Sequence, residues 1–137
     1  MGDGENLARQ VLPVSGSCFR VEIAGKEIGL SAVTPPRLAE GAPRGPEKAQ
    51  DTITLRRAVG PSTDLFEWRR AVARGKNDRR DVGLRLLDAP GGQVIAAWRF
   101  IGCLPVRWQG PELDASSTTV AMEEIELAYD DLEWVGR

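Results

Sequence analysis

Polar and apolar residues alternate along most of this chain. Phe19, Val21 and Ile23 interleave with Arg20, Glu22 and Ala24, the two-residue period of a half-buried strand. Gly25-Lys26 predicts a tight reversal. Ile28, Leu30 and Ala32 then predict a second strand reaching Val33. Ile53 and Leu55 set against Thr52, Thr54 and Arg56 predict a third over Thr52 to Ala58. Val82, Leu84 and Leu86 mark a fourth within Arg80 to Asp88, and Ala89-Pro90-Gly91-Gly92 closes a hairpin. A fifth runs from Gln93 to Leu104, with Pro105 expected to end it or lie at an edge and Val106 to Trp108 continuing after a bend. A last strand over Thr118 to Tyr129 changes apolar parity at Glu123-Glu124, which predicts a β-bulge there.

One segment has a different period. Leu65, Trp68 and Val72 fall on one stripe, so a helix is expected from Thr63 to Arg74 with these three as its core anchors. Ser62, Thr63 or Asp64 are candidate N-caps, Asp64 with Glu67 has capping-box spacing, and Gly75 is a candidate C-terminal cap. The pattern gives a mainly β fold, mostly antiparallel, with about six strands and one short helix.

Two stretches lack such periods. Residues 1–17 read as an arm, with a short apolar patch at Val11, Leu12 and Val14. Residues 34–50 hold Pro35, Pro36, Gly41, Pro43, Gly45 and Pro46, a loop too long to be a plain connector. With 137 residues in all, the expected organisation is one domain.

Composition removes much chemistry. The chain has no histidine, so Ser-His and Cys-His nucleophile pairs and histidine-ligated metals are excluded. Cys18 and Cys103 are too few for a four-cysteine zinc site and are expected to be reduced thiols. Gly75-Lys76 lacks two parts of a phosphate loop, since Arg70 replaces the first Gly and Asn77 the Ser/Thr. The acids from Glu123 onward lie on a predicted strand, where successive carboxylates point to opposite faces, so no metal site is expected. No cofactor and no catalytic residue is assigned. No run approaches the roughly 20 apolar residues of a membrane span.

The charges are segregated. Residues 56–85 carry nine basic and four acidic side chains, a net of +5, and residues 110–137 one basic and eight acidic, a net of −7. These are either two solvated faces or complementary surfaces of neighbouring copies, where opposed potentials set orientation and register. The turn holding Arg74, Lys76, Arg79 and Arg80 could instead contact phosphates, which would make the chain a small β-barrel binding module.

Several of these segments resemble the phage tail tube family, the tube proteins of contractile tails and related injection systems. They are Phe19-Arg20-Val21-Glu22-Ile23 through Gly29, Ile53-Thr54-Leu55-Arg56-Arg57, Asp64-Leu65-Phe66-Glu67-Trp68, the stretch from Val94 to Pro111, and Val120 through Ala128. Their order and spacing cover Phe19 to Leu132. Where the family tends to continue with Ser-Gly-Leu, this chain has Thr34-Pro35-Pro36.

The resemblance implies two packed antiparallel sheets forming a barrel-like sandwich with one helix, a fold shared with type VI secretion tubes. It implies a structural, non-enzymatic subunit made in the cytoplasm. Hexameric rings of it would stack into a hollow tube, with a surrounding sheath, baseplate and tube-initiator proteins, and cargo or genome in the lumen as partners. A tube-initiator or adapter paralogue is the alternative role. Candidate inter-subunit contacts are Pro35, Pro36, Arg37, Arg74, Arg79, Arg80, Glu123, Glu124 and Glu126.

Overall fold

The structure is a computed structural model and describes residues 16, 18–34 and 51–136. The expected arm, save Gly16, and the expected loop, save Thr34, lie outside the described residues.

The first hairpin joins β1 (Phe19–Ile23) to β2 (Lys26–Ile28). Its turn is Ala24-Gly25, not Gly25-Lys26: both have positive φ, 52° and 82°, the requirement of a two-residue turn that matches strand twist. Lys26 already pairs with Ile23. The single second strand expected from Ile28 to Val33 is two strands. After Ile28 the chain leaves β1, and the Ser31 N–H donates to the Arg56 carbonyl at 2.8 Å. There β3 (Ala32–Thr34) begins, paired with β4 (Thr52–Ala58).

The helix, α1 (Asp64–Ala73), follows β4. Thr63 makes no side-chain cap; the Ser62 hydroxyl oxygen accepts the Asp64 N–H at 3.5 Å and Asp64 Oδ1 the Leu65 N–H at 2.9 Å, while Asp64 also pairs with Arg57. The C-terminus matches expectation. Gly75, at φ 99°, donates to the Val72 carbonyl at 3.0 Å and Lys76 to the Ala71 carbonyl at 3.1 Å, the paired bonds of a Schellman cap.

Next come β5 (Arg80–Leu87), β6 (Val94–Gln109), β7 (Met122–Ala128) and β8 (Asp131–Gly136). Pro105 does not end β6 but does lie at an edge, in the half of the strand that pairs with β7 alone among the described residues. It lies inside the strand at a register shift between Pro105 and Arg107, and such a bulge accommodates the missing N–H. The bulge expected at Glu123-Glu124 is absent against β4, where pairing runs unbroken from Thr52↔Ala128 to Ala58↔Met122. Val120 is outside the strand and exposed, while Glu123 takes the buried parity beside Ile125 and Leu127. The apolar parity slips in the sequence because Val120 and Met122 do not lie on the buried face, which Glu123 continues instead. β8 is an additional strand, in the tail that composition marked only as acidic.

The strands form one continuous path, β2-β1-β5-β6-β7-β4-β3, with β8 also on β6. All pairings are antiparallel. β6 belongs to two sheets: its first half pairs with β5 and β8, its second half with β7. The corner lies at Gly102, whose φ of 67° bends the strand between the sheets, the way strands pass from one sheet to another. Asp81 Oδ1 accepts the Gly102 N–H at 3.1 Å, and Arg79 donates to the Gly102 carbonyl at 3.1 Å and to the Asp130 carboxylate at 3.0 Å.

One core fills the angle between the sheets. Val21, Ile23, Val82 and Phe100 come from one sheet, Ile53, Leu55, Ile125 and Leu127 from the other, and Leu65 and Trp68 from α1. Phe100 meets Tyr129 edge to face at 5.2 Å.

Candidate functional site

The expected helix anchors sit as follows. Leu65 and Trp68 are buried and Val72 packs against the core from a half-buried position. Trp68 donates its indole N–H to the Asp78 carbonyl at 2.8 Å. Its ring lies under the Arg80 guanidinium at 4.7 Å, within cation–π range.

The opposed charges meet largely within the protomer. Antiparallel pairing sets Arg56 opposite Glu124 and Arg57 opposite Glu123. Arg56 approaches Glu124 at 3.5 Å, and Arg107 Nε reaches Glu126 at 3.1 Å. Thr52 Oγ1 donates to the second Glu126 oxygen at 2.8 Å. Arg79 pairs with Asp130, and Arg80 with Asp78 at 2.9 Å. Of the proposed inter-subunit contacts, Glu123 is only 4% exposed and belongs to the protomer interior. Glu124, Glu126, Arg79 and Arg80 keep part of their surface while engaged within the chain. Arg74 is exposed and makes no ion pair among the described residues. Pro35, Pro36 and Arg37 lie outside the described residues.

Arg57 is the hub that sequence reasoning passed over. It bonds Glu123 through Nε at 3.2 Å, the Ser62 carbonyl at 3.2 Å, and the Asp64 carboxylate at the start of α1. Glu123 also accepts from Trp108 Nε1 at 3.0 Å. Burial works against both charges of the Arg57–Asp64 pair. Their mutual hydrogen bonds outweigh it, raising Arg57 and holding the Asp64 carboxyl below the usual carboxylate range. The signal was present: Arg57 continues the parity of Ile53 and Leu55, and Glu123 that of Ile125 and Leu127.

Cys103 is fully buried, and burial, with Asp81 nearby, pushes its thiol up to about 12, the wrong direction for a nucleophile. Among the described residues no group of three or more acids or cysteines could hold a metal, and no helix is long and apolar enough to cross a membrane.

Edges and apolar surface are the exposed resources. β2, β3 and β8 each pair on one side only among the described residues, and the second half of β6 pairs only with β7. Unsatisfied edges of this kind are templates for another strand. Trp134 is 67% exposed on β8 and meets Trp98 edge to face at 4.7 Å.

A family model described as T4-like virus tail tube protein gp19 matches residues 43–133. The chain belongs to this family. Its mainly β, one-helix architecture is the tail-tube fold. A chain of the PVC sheath-tube complex, from an extracellular contractile injection system in the extended state, is 21% identical. It aligns over 96% of this chain and 97% of that one, with a TM-score of 0.81. A chain of the PVC sheath/tube terminator is 23% identical over 90% of this chain and 96% of that one, with a TM-score of 0.78. Hcp1 from Flavobacterium johnsoniae is 17% identical over 88% and 96%, with a TM-score of 0.64. No curated protein matches the sequence. The family is one of structural tube proteins, and this chain is a tail tube protein.

Proposed function

We propose that this protein is the inner-tube subunit of a contractile injection particle or phage tail. Six copies close into a ring as a single-domain subunit, and rings stack into a hollow conduit. The sheath encloses the tube, the baseplate templates it, and cargo or genome passes through the lumen. The subunit is made in the cytoplasm, joins the particle there, and does no catalysis. One observation carries the reading: nearly end-to-end agreement of the fold with a chain of the PVC sheath-tube complex. The one-sided strands support it, because a ring built from heterologous contacts covers such edges and axial repetition extends the ring into a filament.

The similarity to the PVC terminator and to the cap of the anti-feeding prophage favours a second reading, a paralogue that makes a single ring at a tube end. Negative-stain microscopy of purified protein at rising concentration separates the two. Tubes of indefinite length support the main subunit, rings that never stack support the end-piece, and a protein that stays monomeric beside its sheath contradicts both.

A further inference from the structure

An open groove of about 440 Å³ lies between α1 and the second half of β6. Its floor is apolar: Phe66 is 39% exposed, Val106 is 46% exposed, and the Trp108 ring meets Phe66 edge to face at 5.0 Å. Its rim is basic, formed by Arg69, Arg70 and Arg107, the last also paired with Glu126 at 3.1 Å. Arg69 makes no ion pair among the described residues, and the Arg70–Glu67 approach, at 4.0 Å, is long.

The same chain carries a projection of the opposite character. Leu113 stands 85% exposed between Glu112 and Asp114. Being so exposed, it does not fill the groove of its own protomer. The tip is also held in shape. Asp114 Oδ1 accepts from the Ser116 N–H at 3.0 Å and from its hydroxyl at 2.8 Å, and the Ser117 N–H donates to the Asp114 carbonyl at 3.0 Å. The two Ser116 bonds hold the Asp114 carboxyl below the usual carboxylate range, and the tip carries two acidic residues around one apolar side chain.

We propose that the tip Glu112-Leu113-Asp114 of one copy docks into the α1–β6 groove of the next copy. Leu113 lies on Phe66, Val106 and Trp108, and the flanking carboxylates face the three arginines. This rests on the tube reading and names one contact within it. Knob and groove are different surfaces, so the contact is heterologous and propagates from copy to copy. The apolar centre supplies affinity, as buried anchors do. The charged rim sets register and disfavours the reversed orientation. A tip ordered before contact loses less freedom on docking.

The test uses the full chain. Leu113→Asp is expected to raise the concentration for half-assembly by about tenfold or more, with an unchanged circular dichroism spectrum and melting temperature. Arg69→Glu and Glu112→Arg should each weaken assembly, and the double variant should recover most of the loss. Chains bearing Leu113→Cys, mixed with chains bearing Val106→Cys in a Cys18→Ser background, should form inter-chain disulfides under oxidised glutathione. Chains bearing Val135→Cys should not. Normal tubes from Leu113→Asp, or no cross-link within assembled wild-type-like particles, overturns the docking and leaves the tube reading intact. Wild-type protein that never assembles overturns the tube reading and the docking with it.

Discussion

Trp108 donates its indole N–H to the buried Glu123 carboxylate at 3.0 Å, across the β6–β7 pair of the second sheet. Arg57 reaches the same carboxylate from the other side at 3.2 Å. An acid that parity places in the core is thereby hydrogen-bonded on both oxygens, with partners from β4 and β6. The arrangement also ties the start of α1 to the sheets, because Arg57 holds Asp64 as well.

Removing one member of this cluster leaves the other charge buried and unmatched. Arg57→Met is expected to cost about 3–5 kcal/mol, read from urea unfolding. Arg57→Met with Glu123→Met should regain most of that, since an apolar pair of similar volume is often neutral. A single variant within about 0.5 kcal/mol of wild type contradicts the buried network.

Acid should weaken the same corner. The Asp64 carboxyl is held below its ordinary value, so the unfolded chain binds a proton more readily than the folded one. Its stabilising contribution is complete above about pH 4, the unfolded value, and is lost as pH falls through the lowered folded value. Asp64→Asn should therefore be less stable than wild type near neutrality and flatter in acid. Urea midpoints between pH 7 and pH 2.5 check this; parallel curves contradict it.

Trp68 is 1% exposed and bonded to Asp78. Trp68→Ala should cost about 3–5 kcal/mol. Trp68→Phe keeps most of the apolar contact but orphans the Asp78 carbonyl, so a smaller loss of about 1–2 kcal/mol is expected. Equal losses in denaturant titration would count against the hydrogen bond.

Gly102 is required by its φ of 67°, and a Cβ there would also push aside the Asp130 carboxylate. Gly102→Ala should cost about 1–3 kcal/mol. Adding Asp130→Ala should return only the part due to the clash, leaving the backbone strain. Thermal melts of the two variants separate these contributions.

The Cys103 thiol, buried and pushed up to about 12, should resist alkylation in a Cys18→Ser variant at pH 8 and react at once in denaturant. Rapid labelling of the native protein, followed by mass spectrometry, would contradict its placement.

Much of this architecture was legible because alternation is a direct consequence of a sheet with one buried face. β1, β4 and β5 and the helix with its Gly75 cap sit close to where periodicity puts them. The misses share a cause: a local rule was overruled by a partner distant in sequence. Glu123 faces inward because Arg57 and Trp108 meet it there. Ile28 and Ala32 read as one strand, yet they serve different sheets. β8 was overlooked because its acids hid a pairing that only the β6 register supplies. Among the expected contacts, charge alone does not distinguish a residue engaged within its own protomer, such as Arg79, from one with no ion pair among the described residues, such as Arg74.

The sixteen residues of β6 run through both sheets without interruption. Neither layer can slide on the other without deforming that shared backbone or the Gly102 corner that Arg79 and Asp81 clamp. A displacement of one wall of the subunit is therefore carried to the other along covalent bonds, which makes the protomer a single rigid wedge in the stack proposed above.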